Sequence, residues 1–522
     1  MSSKPMNISK NISRSLAAVL CIATCFTGCG AKEPTLTAMD RCTTGNPMVG
    51  ENDNIIYGGD PSVLVDGDTV YLYTGVDAST DKEVATSVYN IPQYVCYSST
   101  DMTNWTAEGV VMDMKDVTWT SNDTSAWASQ VMKHDGKYYL YYCSWDKSGK
   151  QCIGVAVADS PTGTFVDIGE PLVRSSATKP NTSSYNDIDP TAWIETDEDG
   201  VEHRYLAWGN GVFYVTELNE DMISVVDANG DGKLSSGVTP GEDDIMMRLT
   251  GLDEYTEAPW LYRRSDENGN YYGPYYLFFA HKWRECMAYA TTDDLMSGDW
   301  TDTTTIMYPT ATSNTNHMAV FDFKGKTYFV YHNGSMPAGS GFRRSACVVE
   351  LNFNEDGSID LMEESAAGLD GTKVSLTLTD GTALAHENFI NSTSDADYPY
   401  KNVALGAFDS TNPKDSQWVI RPGKADTANE NYVSIESENK PGLYITVNED
   451  GTVTLAQDTD AKESTAKSQT FVSYEAFDGG EGYTLESLTN PGQYLTLSDG
   501  ALTLSDGSDT AAVSFLTLSI AE

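Results

Sequence analysis

The feature that most constrains this chain is a hairpin that it repeats. Gly59-Asp60-Pro61-Ser62-Val63-Leu64-Val65-Asp66-Gly67-Asp68-Thr69-Val70-Tyr71-Leu72-Tyr73 sets a carboxylate at the mouth of a strand, then a turn, then a second strand rich in β-branched and aromatic residues. Four more copies follow. His134-Asp135-Gly136-Lys137 leads into Tyr138-Tyr139-Leu140-Tyr141-Tyr142, and Asp199-Gly200 leads into Tyr205-Leu206-Ala207-Trp208. The last two copies end in Tyr275-Tyr276-Leu277-Phe278-Phe279 and Tyr328-Phe329-Val330-Tyr331. A strand-and-turn unit that recurs roughly every 50 to 70 residues cannot cover its own apolar faces and must stack on its neighbours. The closed solution is a β-propeller, and five copies predict five blades.

In such a ring the first strands start around the central axis, so side chains at that end converge on one pocket. They are Asp60, Trp127 to Gln130, Asp189, Glu257 and His317. An acid before proline can be no more than a strand opening, because proline lacks the N–H and fixes φ. Asp60-Pro61, Asp189-Pro190 and Glu257-Ala258-Pro259 nevertheless put acids at the same blade position in three of five copies. Independent turn signals have no reason to fall in register, so these three are read as chemistry.

The start of the chain has a different character. Lys4, Lys10 and Arg14 precede the apolar run Leu16 to Ala23, and Phe26-Thr27-Gly28-Cys29 follows. That order predicts a secretory signal over 1–29 with a lipoprotein cleavage box, the alternative being a plain signal peptide cut nearby. Cys29 then becomes a lipidated N-terminus, residues 30–45 a linker, and the protein a bacterial cell-surface lipoprotein that meets the membrane only through this anchor. No later stretch is apolar enough to span a bilayer.

A net charge of -44, without basic patches, argues against nucleic acid as a partner. The acid excess is spread through loops, where it favours solubility, and a monomer is expected. Six cysteines follow Cys29, and none forms a CxxC pair. Only Cys143 and Cys152, flanking one hairpin loop, are placed to face each other in a disulfide. Asp227-Ala228-Asn229-Gly230-Asp231-Gly232-Lys233 opens like a calcium loop, with Asp227, Asn229 and Asp231 as ligands, but position twelve is Val238 where a bidentate Glu is expected. The same residues also make ordinary turns.

Taken in order, Gly59-Asp60-Pro61, Trp127-Ala128, Ile188-Asp189-Pro190, Thr256-Glu257-Ala258-Pro259, His317 and Tyr331-His332-Asn333 resemble glycoside hydrolase family 43, a family of five-bladed propellers that includes arabinofuranosidases, xylosidases and arabinanases. The resemblance runs from about Asn46 to Gly357. It implies Asp60 as general base, Glu257 as general acid and Asp189 as the carboxylate that tunes and orients the acid. It also implies that His317 sits by a central metal ion or water; Ca2+, the candidate cofactor, is the one the 227–233 loop suggests. Arg344, in Gly341-Phe342-Arg343-Arg344-Ser345, resembles the arginine that reaches substrate and Asp189. Ser129-Gln130 departs from the family's Pro and acid after Trp-Ala. Trp127, Trp145, Trp260, Trp283 and Phe342 are available to stack on a sugar, although blade packing would use the same residues.

After Ser365 the Tyr-rich strands stop and Thr, Asp and Gly rise. Trp418-Val419-Ile420-Arg421 with Val433-Ser434-Ile435-Glu436 and Pro441-Gly442-Leu443-Tyr444-Ile445 is echoed by Phe471-Val472-Ser473-Tyr474 with Tyr483-Thr484-Leu485-Glu486 and Pro491-Gly492-Gln493-Tyr494-Leu495. A period near 50 predicts a three-fold β-trefoil-like domain. It resembles the arabinofuranose-binding module, carbohydrate-binding family 42. Thr446-Val447 and Thr496-Leu497 stand where that module has Arg-His, so its sugar pockets are not expected here. The expected fold class is therefore all-β, with a propeller over 46–365, a connector over 366–384 and the trefoil-like domain over 385–522.

These features together predict an inverting glycosidase that removes α-L-arabinofuranosyl groups from plant oligo- or polysaccharides. A β-xylosidase of the same family is the near alternative. A non-catalytic glycan-binding surface lipoprotein is the distant one, and the presence of all three acids argues against it.

Overall fold

The structure, a computed structural model, describes residues 34–520 except 52–53, 198, 249–251, 267, 297–299, 390–399 and 401. The expected signal over 1–29 and its Cys29 lie outside the described residues.

Blade one comprises β1 (Gly59–Asp66), β2 (Thr69–Gly75), β3 (Gln93–Ser99) and β4 (Trp105–Asp113), with a short helix α1 (Asp81–Ala85) in the β2–β3 loop. Blade two comprises β5 (Ser129–His134), β6 (Lys137–Trp145), β7 (Gln151–Ala158) and β8 (Val166–Asp167). Blade three comprises β9 (Thr191–Thr196), β10 (Glu202–Trp208), β11 (Phe213–Glu217), β12 (Ser236–Gly237) and β13 (Ile245–Arg248). Blade four comprises β14 (Tyr255–Ser265), β15 (Tyr271–His281), β16 (Cys286–Thr292) and β17 (Thr304–Met307), and blade five β18 (Ala319–Phe323), β19 (Lys326–Asn333) and β20 (Ser345–Leu351). Each blade is a separate sheet. The first strands touch in a ring, β1 beside β5, β5 beside β9, β9 beside β14, β14 beside β18 and β18 beside β1, which defines the axis.

Middle strands lie between two neighbouring blades and are buried on both faces, which is why Tyr138 to Cys143 reads as an unbroken apolar run. The two faces of one blade feed different interblade cores. Cys152 packs with the blade-one side and Cys143 with the blade-three side. This corrects the expected disulfide: the register pairs Cys143 with Ile153 and Ser144 with Cys152, so the two thiols point to opposite faces, and both are free and buried. The edge of β20 is covered by residues 46–51 and 54–58, with Met48 N–H donating to Ala346 O (2.9 Å) and Ala346 N–H to Ile56 O (3.0 Å). The start of the propeller thereby closes its last blade and removes an open edge.

The second domain is one continuous sheet system. Its strands are β21 (Val374–Leu378), β22 (Ala385–His386), β23 (Leu405–Gly406), β24 (Trp418–Pro422), β25 (Tyr432–Ser437), β26 (Leu443–Val447), β27 (Val453–Gln457), β28 (Phe471–Glu475), β29 (Tyr483–Ser487), β30 (Tyr494–Ser498), β31 (Ala501–Ser505) and β32 (Ser514–Ser519). The pairings β24 with β25 and β28 with β29 recur as β32 with β21, so the final strand completes the first repeat. Trp418, Phe471 and Phe515 occupy equivalent places and meet in one core. Residues 366–384, expected as a connector, contain β21. The expected linker also pairs with this domain, through Thr37 N–H to Ser473 O (3.1 Å) and Cys42 N–H to Ile420 O (2.7 Å).

Candidate active site

Three of the blade openings share one backbone device. Asp60, Asp189 and Ala258 have φ of 52°, 60° and 58°, each directly before a proline. Strand pairing slips at the same places, between Gly59 and Ser62 and between Glu257 and Trp260. Such bulges re-aim side chains at the ends of strands. Aspartate tolerates the left-handed region, whereas Ala258 pays roughly 1–2 kcal/mol for it. Its N–H is held by Asp189 Oδ2 at 3.0 Å, so the acid of blade three fixes the kink next to the acid of blade four.

The openings meet in a cavity of about 990 Å³ lined by Asp60, Asp189, Glu257, His317, Arg344, Phe342 and Trp127 among others. Of the residues expected at the axis, Asp60, Trp127, Asp189, Glu257 and His317 line one pocket, whereas Ala128, Ser129 and Gln130 do not. Arg344 Nη1 donates to Asp60 Oδ1 at 2.7 Å, and its Nε and Nη2 grip both oxygens of Asp77 at 2.9 Å each. Burial works to raise Asp60, but Arg344, with His332 and His317, outweighs it and holds the carboxyl below its ordinary range. Burial dominates at Asp77, whose carboxyl is raised despite the guanidinium. His332 accepts the Asp60 N–H at Nδ1 (3.1 Å) and donates from Nε2 to Thr315 O (2.9 Å), which fixes a neutral tautomer. Burial lowers His332 to about 3 and His317 to about 4.

Asp189 and Glu257 behave oppositely to Asp60. Burial, then the charges of Glu257 and Asp60, push Asp189 well above the usual range. Burial raises Glu257 too, offset in part by the hydrogen bond from Asn210 Nδ2 to Oε2 (2.6 Å), while the Asp60 charge adds to the rise. The tuning expected of Asp189 is thus corrected: Glu257 raises Asp189, and the charge that raises Glu257 is that of Asp60. A second correction concerns Arg344, whose hydrogen bonds go to Asp60 and Asp77 and not to Asp189.

Several residues at this site escaped the sequence reading. Glu285, buried at the mouth of β16, shares a side-chain hydrogen bond with Glu257 and takes the Asn316 N–H at 2.7 Å. Asp77 and Asn210 sit in loops after β2 and β10, where Asp and Asn read as turn residues. Tyr185 stacks on Trp127 at 5.9 Å and 4°, and meets Trp145 edge-on at 5.1 Å. These three rings wall the pocket with Tyr89 and Phe342, whose centroids are 4.6 Å apart. Trp283 stands half exposed at the rim. Trp260 does not: it is buried and donates to Val320 O at 2.9 Å, joining blades four and five. Gln130 accepts the Ala192 N–H and ties blade two to blade three, so Ser129-Gln130 is packing.

The calcium expectations find no fit. In the 227–233 loop, Asp227 accepts the N–H groups of Gly230 (2.7 Å) and Gly232 (2.8 Å), Asn229 that of Asp231 and Asp231 that of Lys233. The oxygens of Asp227, Asn229 and Asp231 thus hold their own turn. Around His317, as elsewhere among the described residues, no three His, Cys, Asp or Glu side chains gather to hold a metal.

An all-β ring whose axial pocket sets an ionised aspartate opposite two proton-retaining carboxyls, walled by aromatic rings, is the architecture of a glycoside-cleaving hydrolase. Residues 55–359 match Glycosyl hydrolases family 43, and the chain belongs to that family. Residues 381–515 match the Alpha-L-arabinofuranosidase B domain. A xylosidase/arabinosidase of Bacteroides ovatus is 29% identical over 59% of this chain and 95% of its own length. An arabinoxylan arabinofuranohydrolase of Bacillus subtilis is 28% identical over 69% of this chain and 72% of its own. A crystal structure of a family 43 arabinoxylan arabinofuranohydrolase from Bacillus subtilis, with cellotetraose, aligns at a TM-score of 0.48 and 22% identity over 73% of this chain and 80% of that one.

Proposed function

We propose that this glycosidase is an exo-acting, inverting α-L-arabinofuranosidase on arabinose-bearing plant oligo- or polysaccharides. The observation that carries the reading is the opposed state of two carboxyls in one cavity: Asp60 held ionised by Arg344, and Glu257 half-buried and raised on a different blade. Asp60 takes a proton from water as the water oxygen attacks the anomeric carbon. Glu257 gives its proton to the glycosidic oxygen, and the C–O bond breaks on the opposite face. Asp60 ends protonated and Glu257 ionised, and both exchange with solvent before the next turnover. Asp189, bonded to the Ala258 N–H, orients the acid, and the charge of Asp60 helps keep it protonated.

Trp127 and Asn314 line the cavity within reach of a bound sugar. The Alpha-L-arabinofuranosidase B match favours arabinose. The mixed name xylosidase/arabinosidase on two similar proteins keeps β-xylosidase as the second reading. Rates on the nitrophenyl glycosides of arabinofuranose, xylose and galactose separate the two. Fastest turnover of the arabinofuranoside is expected, and fastest turnover of the xyloside replaces this reading with the second. The N-terminal signal supports export and anchoring at Cys29, which palmitate labelling of wild type and Cys29→Ser would test.

A further inference from the structure

The loop between β19 and β20 carries Ser340, Gly341 and Phe342 into the cavity and leads directly to Arg344. Its own sequence, Gly334-Ser335-Met336-Pro337-Ala338-Gly339-Ser340-Gly341, has little apolar mass to bury. A segment of this composition is not rigid by itself. Its base is tied down by the other domain. Gln457, buried at the end of β27, donates from Nε2 to Gly334 O and to Gly339 O, both at 3.2 Å. One amide group thereby pins the two ends of the Gly334 to Gly339 turn together. The Ala338 N–H donates to Asp458 O at 3.2 Å, with Ala338 itself at a φ of 56°.

Asp458 is a firm anchor, since its carboxylate pairs with Lys424 Nζ at 2.7 Å and caps Ala461 N–H at 2.9 Å. Gly442, which precedes β26, lets the two backbones meet: a Cβ there would stand 2.6 Å from Ser335 Cα. On the propeller side Gly334 N–H is held by Thr312 Oγ1 at 3.0 Å, and beyond the turn Arg343 is held by Ser79 O (2.8 Å) and Asp81 (2.7 Å). Between these two attachments, Gln457 and Asp458 supply the fixed points.

We propose that the C-terminal domain is a brace for the catalytic pocket and that Gln457 is a positioning residue for its Phe342 wall. This rests on the reading of the axial cavity as the substrate site. Arg344 is pinned independently by Asp77, so releasing the brace displaces the sugar-contacting wall more than it disturbs Asp60. Loss of the two Gln457 hydrogen bonds therefore falls on KM, while kcat and the acidic limb of the pH profile stay close to wild type.

The test compares full-length Gln457→Leu and Gln457→Asn with Glu438→Gln, which alters a different contact between the domains, from Glu438 to Ser365 Oγ and Ala367 N–H. Leucine keeps the bulk and removes both donors; asparagine keeps the amide but is too short to span both carbonyls. Misplacing a substrate-contacting group by about 1 Å costs on the order of tenfold to a hundredfold, so KM on the best nitrophenyl glycoside rises by that much in Gln457→Leu and less in Gln457→Asn. Glu438→Gln leaves KM unchanged. Hydrogen exchange over residues 334–342 reads the brace without substrate and quickens only in the Gln457 variants. An unchanged KM and unchanged exchange overturn the proposal, as does a fall in kcat that tracks lost thermal stability equally in all three variants. Quickened exchange in a protein that cleaves none of the glycosides supports the brace and counts instead against the substrate reading.

Discussion

Arg344 holds Asp60 and Asp77 at once, 2.7 Å from the first and 2.9 Å from each oxygen of the second, with its guanidinium almost wholly buried. Asp77 thereby aims the cation, and the cation keeps Asp60 ionised.

Arg344→Lys tests this arrangement, because one ammonium cannot grip two carboxylates in a planar fork. Losing the guanidinium lets Asp60 climb back toward the ordinary carboxylate range. Since the reaction needs Asp60 ionised, the acidic limb of kcat/KM is expected to move up by about one pH unit or more. The sign for stability follows the same shift. Asp60 titrates lower folded than unfolded, so its contribution is complete above about pH 4 and disappears as pH falls through the folded value. An acidic limb that stays in place in the variant would show that Arg344 does not set the state of Asp60.

The roles of Asp60 and Glu257 are separable by leaving group. Asp60→Asn is expected to lose about a hundredfold or more on every substrate. Glu257→Gln should lose as much on natural glycosides but little on dinitrophenyl glycosides, whose leaving group needs no proton. Equal losses on both kinds of substrate would remove Glu257 from the acid role.

Glu285→Leu probes the hydrogen bond between Glu257 and Glu285. That bond lowers Glu257, so its loss lets Glu257 keep its proton to higher pH. The alkaline limb of kcat should therefore move up while the acidic limb stays. An alkaline limb at the wild-type pH would make Glu285 a packing residue.

Stereochemistry tests the two-sided pocket. If a water stands between Asp60 on blade one and Glu257 on blade four, the first sugar released should have the opposite anomeric configuration from the bond cleaved. Proton NMR in the first minutes, before mutarotation, distinguishes the anomers. Early retained anomer, or transfer to added methanol, would require a covalent intermediate.

Much of this was written in local patterns. Five hairpins ending in Tyr-rich strands specify five two-sided sheets, since only strands buried on both faces are apolar at every position. Asp60-Pro61 and Asp189-Pro190 announce themselves because proline forces a kink that aspartate tolerates. The repeat in Trp418 and Phe471 likewise specifies a three-fold core. What sequence could not carry is set by contacts between distant segments. Asp77 and Asn210 look like turn residues until Arg344 and Glu257 come beside them, 267 and 47 residues away. Trp260 and Trp145 are equivalent as letters, yet one is packed between blades and the other walls the pocket. Cys143 and Cys152 frame a hairpin, yet a register offset of one residue sends them to opposite faces. Glu257 and Glu285 come within hydrogen-bond reach only because β14 and β16 flank the same middle strand. The grip of Gln457 on the loop leading to Arg344 exists only once the trefoil-like domain docks. Composition and periodicity act along the chain and decide strands, turns and repeats. Proton affinities and the pocket wall depend on burial and on neighbours across the chain, so only the tertiary structure decided them.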